Sequence, residues 1–258
     1  MRKLRILVVC KHPSNSPEAS ACRLISSKGV KVVYSWKNTL KPERLKGVDV
    51  IVAIGGDGTV LSASHYVTRQ LLLAVNSSPS SSVGHLTTIT LEKLDKKIEQ
   101  IKRGNFKIEE LQRIEVSING KKLKPLALNE VFMGSAKPYL ISRYRVIVRT
   151  PSRTFEERQR SSGLIVSTGT GSTAWFKSAG GKPFSPQAPY ARFVVREPYL
   201  SRLDKLKLRA KEIRKHDALY IIPEVPFTLA IDSIREFSVK PNAKIKLSLA
   251  RFPLRRIV

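Results

Sequence analysis

The run Val50-Ile51-Val52-Ala53-Ile54 stops on Gly55-Gly56-Asp57-Gly58-Thr59, and this junction constrains the fold more than any other stretch. An unbroken apolar run makes a strand that meets water on neither face, and such strands belong to parallel sheets covered by helices on both sides. The glycines after it allow positive φ and let bare amides approach a ligand. If a helix opens at Thr59-Val60-Leu61-Ser62-Ala63, those amides lie at its positive end, where phosphate is well held. Asp57 stands in the middle of the turn. Its carboxylate suits a general base for a hydroxyl nucleophile or a magnesium ligand, and in an ordinary strand-to-helix turn it would only be a cap.

The neighbouring segments repeat the same rhythm. Leu4 to Cys10 reads as a strand with Lys11-His12-Pro13 as its turn, Glu18 to Ser27 as a short helix closed by Gly29, and Val30 to Tyr34 and Leu71 to Val75 as further strands. Strands alternating with helical pieces predict a Rossmann-like parallel sheet with right-handed crossovers. Ligands of such sheets collect beyond the carboxyl ends of the strands, where the Asp57 turn and Asn76 both fall. Ser77-Ser78-Pro79-Ser80-Ser81-Ser82 is a low-complexity loop, and Thr90 to Arg103 is a helix with Leu91, Leu94, Ile98 and Ile101 on one face and Gly104 closing it.

Past Gly104 the periodicity changes. Phe106 to Ile118 and Lys121 to Met133 read as strands joined at Asn119-Gly120, a dipeptide suited to a type I′ turn. Tyr144 to Arg149, Leu164 to Thr168, Ala218 to Ile222, Phe227 to Ile231 and Ile245 to Leu249 continue in strand character. The expected organisation is an α/β domain over 1–104 and a β-rich domain over 105–258.

Two further clusters carry chemistry. Asn129-Glu130 closes the apolar stretch Leu126-Ala127-Leu128, and polar groups there face a ligand or a loop because burying them unpaired is costly. Ser167-Thr168-Gly169-Thr170-Gly171-Ser172-Thr173-Ala174-Trp175, followed by Ser178-Ala179-Gly180-Gly181, joins a strand end to a turn dense in glycines and hydroxyls. Such a turn suits a ribose, an amide or a phosphate, or is a serine-rich turn and nothing more.

Charge bears on partners. With 47 Lys+Arg against 20 Asp+Glu the formal net charge is +27, a field that attracts polyanions. The basic residues are scattered, densest at Lys205 to Lys215, and no aromatic-interleaved strand accompanies them, so specific nucleic-acid binding is not expected. A solvated surface that favours anionic substrates is expected instead. No apolar run approaches the roughly 18 residues of a membrane span. Cys10 and Cys22 lack the paired spacing of a zinc site, and a reducing, cytoplasmic compartment is expected.

With the three motifs in this order, the sequence resembles the NAD kinase family over about Val48 to Phe237. Diacylglycerol and sphingosine kinases share a GGDGT-type turn, but the Asn-Glu pair and the Gly-Ser-Thr-Ala-aromatic turn separate NAD kinases from them. Ser161-Ser162-Gly163-Leu164, Thr168 to Trp175 and Arg196-Glu197-Pro198 look closest to the branch that includes mitochondrial-type enzymes. The resemblance implies that Asp57 draws the proton from the 2′-hydroxyl of the adenosine ribose of NAD. It implies that Gly55, Gly56, Gly58 and Thr59 form the phosphate turn, that Asn129 and Glu130 contact the adenosine portion, and that Thr170, Ser172, Thr173, Ala174, Trp175 and Ser178 line the dinucleotide site. It also implies ATP or polyphosphate as donor, Mg²⁺ or another divalent cation with it and no metal held by protein ligands alone, reaction in the cleft between the two domains, and a homo-oligomer assembled through the β-rich domain. A catalytically silent NAD(P)-binding protein and a lipid or sugar kinase are the alternatives. Asp232-Ser233 stands where the family has Asp-Gly, which leaves Asp232 a possible site residue, and the chain reaches Val258 without the segment that in the family often returns to the first domain.

Overall fold

The apolar run at Val50 is a fully buried strand of a parallel sheet, each of its residues at most 2% exposed. The computed structural model describes residues 3–10, 17–28, 30–36, 39–80, 84–137, 139–200 and 206–258. The expected turn at Lys11-His12-Pro13, the Gly29 cap, Ser81 and Ser82 of the serine loop and the basic residue Lys205 lie outside them.

The first unit is built on strands β1 (Arg5–Cys10), β2 (Lys31–Trp36), β3 (Val50–Ile54) and β4 (Leu71–Asn76), with helices α1 (Pro17–Ser27), α2 (Asp57–Ser64) and α3 (Leu94–Lys102). The sheet order is β2-β1-β3-β4, and each of these neighbours pairs in parallel. Ile6, Val8, Cys10, Val50, Val52 and Ile54 share one core cluster with Ile25 of α1 and Leu94, Ile98 and Ile101 of α3. The alternate residues Leu7, Val9, Ile51 and Ala53 are equally buried, which is why the strands read as continuous apolar runs. Between β1 and β3 the strand order changes direction, and the glycine turn after β3 stands at the carboxyl end of that crevice.

Two expectations are corrected here. Residues Leu254–Ile257 do return to the first unit, as a strand in parallel register with β4 that pairs Arg255 with Leu71, Arg256 with Leu72 and Ile257 with Leu73. Ile108–Leu111 adds beyond it, so the first unit comprises Met1–Glu110 and Leu254–Val258, and the boundary falls after Gly104. The sheet captures these strands because Leu71 to Leu73 of β4 would otherwise stand unpaired, Ile89–Thr90 pairing only with Val75 and Asn76. The helix expected from Thr90 begins as a 3₁₀ turn at Leu91–Lys93 before α3, and Gly104 closes it at φ +71°.

Among its described residues the second unit, Leu111–Pro253, holds two antiparallel six-stranded sheets. One runs Thr154–Ser161, Ser142–Arg149, Ala218–Pro223, Ile245–Leu249, Ile114–Ile118, Lys121–Lys122, and the other Ala210–Ile213, Ala191–Val195, Leu164–Ser167, Glu130–Ser135, Phe227–Ile231, Arg235–Val239. Their inner faces meet in one core, with Val146, Leu219, Ile221 and Leu247 from the first and Val131, Met133, Val166, Phe193 and Leu229 from the second. Asn119 and Gly120 turn the expected hairpin at φ +50° and +82°, both positive as a type I′ turn requires. The strand expected from Lys121 to Met133 is broken. It pairs at Lys121–Lys122, touches Ile114 through Ala127, and resumes only at Glu130, so Asn129-Glu130 opens a strand rather than closing one.

Candidate active site

In the first unit the glycine turn is a compact device around one carboxylate. Gly55 has φ +152°, and a Cβ there would lie 2.5 Å from Thr59 Oγ1, so the Thr59 side chain occupies the space that only glycine leaves. Thr59 is 2% exposed and packs into the turn, which makes it a support rather than a ligand-facing group. Gly56 is the cap of α2, and among the described residues no protein group accepts from the amides of Gly56, Asp57 or Gly58. A Cβ on Gly58 would meet nothing within 4 Å, so its surroundings are open to whatever those amides bind. Helix α2 begins at Asp57, two residues before the expected start, which places Asp57 in the first turn.

The half-exposed Asp57 carboxylate is oriented by backbone. Oδ1 accepts from the Leu86 amide at 2.9 Å and Oδ2 from the His85 amide at 3.1 Å. The turn supplying them starts at Gly84, φ +63°, where a Cβ would lie 2.7 Å from Asn76 Nδ2. Asn76 is thus built into the turn that holds Asp57.

In the second unit the site centres on the Asp232 carboxylate, which accepts from three consecutive amides: Leu128 at 2.9 Å, Asn129 at 2.8 Å and Glu130 at 3.0 Å. The Asp232 amide donates back to the Glu130 carbonyl at 2.9 Å. This clamp is the physical reason for the broken strand, since a side chain takes amides that a sheet ladder would use. Thr168 ties the other segment in: its amide donates to the Asn129 carbonyl at 2.9 Å and its hydroxyl to the Leu128 carbonyl at 2.5 Å. A Cβ on Gly171 would lie 2.4 Å from the Asn129 carbonyl oxygen, so glycine lets the two segments touch. Gly169 is pressed against Ser185 in the same way, a Cβ there lying 1.8 Å from the Ser185 carbonyl oxygen.

Within this contact, Asn129 Oδ1, Glu130 Oε2 and Thr170 Oγ1 are buried without a hydrogen-bond partner. Three such oxygens on two touching segments, without a partner among the described residues, are unusual, because buried polar atoms are almost always satisfied. Burial, and secondarily the Asp232 charge, push the Glu130 carboxyl up to about 7, against a hydrogen bond with Ser233 that holds it lower. Thr173, Ala174 and Ser178 are exposed beside this cluster. Trp175 stacks on Phe132 with centroids 5.0 Å apart, and the Arg196 guanidinium lies 5.3 Å over the indole. Ser172 does not line the site. It is fully buried, donating to the carbonyls of Gly169 and Phe184 and accepting from the Phe184 amide, and so props the turn from behind.

Sequence reasoning left Asp232 as only a possible site residue because Asp-Ser stands there in place of Asp-Gly; the amides it holds lie about a hundred residues upstream, and neither Phe132 nor the stacking of Arg196 was singled out. The positive φ of Asp232 and Ser233, +50° and +55°, marks the turn that delivers the clamp. Among the described residues no group of three His, Cys, Asp or Glu stands together to hold a metal ion. Among the described residues no helix is long and apolar enough to cross a membrane.

A glycine turn at a parallel sheet's switch point with one oriented carboxylate stands in the first unit, and buried oxygens without a protein partner among the described residues stand in the second. Two family models match the chain across both. The ATP-NAD kinase N-terminal domain matches residues 7–106 and the ATP-NAD kinase C-terminal domain matches residues 107–195. The chain belongs to the NAD kinase family. It is 32% identical over 216 residues to the NAD kinase of Methanosarcina barkeri, spanning 82% of this chain and 74% of that protein. A probable NADH kinase of Oryza sativa subsp. japonica is 34% identical over 175 residues, 60% of this chain and 53% of its own length, so the match spans about half of that relative. The crystal structure of an NAD kinase from Archaeoglobus fulgidus in complex with ATP superposes with TM-score 0.78 at 24% identity, covering 99% of this chain and 94% of that one. The structure of yeast NADH kinase complexed with NADH superposes with TM-score 0.83 at 16% identity, covering 99% and 83%. At those identities the two structures share the fold.

Proposed function

We propose that the chain transfers the γ-phosphoryl group of ATP to the 2′-hydroxyl of the adenosine ribose of NAD, giving NADP and ADP. Asp57 takes the hydroxyl proton as the new oxygen–phosphorus bond forms and the bond to the β-phosphate oxygen breaks. The two amides that fix its carboxylate align the base, and the open amides of Gly56, Asp57 and Gly58 face the phosphates. Phosphoryl transfer asks a protein mainly for alignment and charge neutralisation. The single half-exposed carboxylate at this turn fits a magnesium ion carried chiefly by the donor phosphates, which supplies that neutralisation. The observation that carries the reading is the trio of buried oxygens on Asn129, Glu130 and Thr170, acceptors waiting for a ligand's amino and hydroxyl groups.

Exposed Thr173, Ala174 and Ser178 and half-buried Trp175 complete the dinucleotide surface in this reading. The enzyme is cytoplasmic and works as a homo-oligomer through its β-rich unit, where Tyr139, Leu140 and Ile141 form an exposed apolar run that a second copy would cover. Light scattering across a salt series checks the assembly, which should persist or strengthen as charge repulsion is screened; a monomer mass throughout would overturn it.

One experiment tests the function: a matrix of donors (ATP, polyphosphate) against acceptors (NAD, NADH, diacylglycerol, a sugar). Formation of NADP from ATP and NAD is expected. No phosphorylation of either dinucleotide, with turnover on a lipid or sugar or on nothing at all, would overturn the reading.

A further inference from the structure

Leu86, whose amide holds Asp57 Oδ1, is itself held from the other side. Its carbonyl accepts from Arg256 Nη1 at 3.0 Å, and Arg256 Nη2 donates to Glu109 Oε2 at 2.6 Å. The Leu86 side chain is 2% exposed, so the residue is anchored in the core between these two grips. A second tie from the same strand reaches the same turn, with Thr88 Oγ1 donating to the Ile257 carbonyl at 3.0 Å.

Arg256 is a costly choice for stability alone. It is 9% exposed on a strand in parallel register with Leu72, a place where an aliphatic side chain would pack without desolvating a charge. Replacing buried ion pairs by apolar residues is often neutral or stabilising, so stability alone does not account for the charge, and what it orients becomes the question. Here it orients one carbonyl, and through that residue one carboxylate.

We propose that Arg256 is a positioning residue for phosphoryl transfer, fixing through Leu86 the direction in which the Asp57 carboxylate points, with Glu109 holding the guanidinium in place. The inference rests on the reading of Asp57 as the base. A displacement of about 1 Å at a reacting group can cost on the order of a hundredfold in rate, so a slackened strut acts on turnover more than on substrate affinity.

The test measures kcat and KM for NAD in Arg256→Met, Arg256→Lys, Asp57→Asn and the Asp57→Asn/Arg256→Met double variant. Arg256→Met should lower kcat about tenfold with KM changed less than about twofold, and Arg256→Lys, which keeps the charge, should recover part of the loss. Because both residues act through one carboxylate, the double variant should be no slower than Asp57→Asn alone. Losses that multiply in the double variant, or a folded Arg256→Met with kcat within about twofold of the parent, would overturn the inference. Should Arg256→Met fail to fold, Arg256→Lys and Glu109→Gln carry the same comparison: each must lower kcat in the parent and not in the Asp57→Asn background. Near-normal turnover of Asp57→Asn alone is a different result, and removes the assignment of the base beneath the inference.

Discussion

The two clusters solve opposite problems. Around Asp57 the carboxylate is satisfied, each oxygen taking a backbone amide, while the amides of the preceding turn stay open. Around Asn129 and Glu130 the amides are satisfied, all by Asp232, while Asn129 Oδ1 and Glu130 Oε2 have no partner among the described residues. In the proposed reading the first arrangement leaves donors for phosphate and a charge aimed for chemistry, and the second leaves acceptors for the amines and hydroxyls of a nucleoside.

The comparison is broken hardest by Asp57→Asn. The isostere keeps the volume and removes the basic charge, so the fold and NAD affinity should survive while turnover falls at least about a hundredfold, the usual scale for a positioned base. Steady-state kinetics with a melting curve checks both halves, and an active Asp57→Asn enzyme would make the first cluster a cap and no more. Asn129→Ala should do the reverse, weakening NAD by about 1–3 kcal/mol with a smaller change in turnover of bound substrate, since it removes an acceptor from the ligand. Calorimetry decides; unchanged affinity in a folded variant returns Asn129 to a structural role.

Glu130 sharpens the contrast through pH. Its carboxyl is pushed up to about 7 by burial and by Asp232, against about 4.5 when unfolded. Below about 4.5 it is neutral in both states; as pH rises towards about 7 the unfolded chain releases the proton first, and stability falls across that window. The parent should therefore lose on the order of 1–3 kcal/mol relative to Glu130→Gln between the two ends of the window, read as a narrowing or crossing of their melting temperatures. Parallel curves would show that Glu130 titrates alike in the folded and unfolded chain, with no upward push from burial.

The smallest effect is expected at Ser233, held at φ +55° where the family has glycine. Ser233→Gly relieves backbone strain but frees the unfolded chain, so stability should change by less than about 1 kcal/mol. The lost hydrogen bond should instead move the Glu130 transition to higher pH, and an unmoved transition would mean that the serine does not hold the carboxylate.

Much of this was legible in the sequence. The β3 run with its glycine turn, and the strands Phe227–Ile231 and Ile245–Leu249, carry their period openly because they lie inside their sheets. Thr154–Ser161 was not legible. It is an edge strand, exposed at alternate residues, and its Thr-Phe-Glu-Glu-Arg-Gln-Arg-Ser reads as a charged loop. Leu254–Ile257 escaped for another reason: its two arginines look unfit for a parallel strand until Arg255 is seen donating to the Arg69 carbonyl and Arg256 to Leu86 and Glu109. Asp232, and the supporting roles of Thr59 and Ser172, depend on contacts that no local pattern encodes.

That last strand also sets a timetable for the ribosome. The sheet carrying the Asp57 turn emerges first but lacks its neighbour on β4 until residues 111–253 have been made, a delay of roughly seven to thirty seconds at about 5–20 residues per second. Through that interval Leu71 to Leu73 of β4 are bare on that side, while Val75 and Asn76 already pair with Ile89 and Thr90, and a bare edge in a newly made chain invites pairing with its copies. The β unit, contiguous from Leu111 to Pro253, needs no such wait, so the half of the protein made second is the half that can finish folding first.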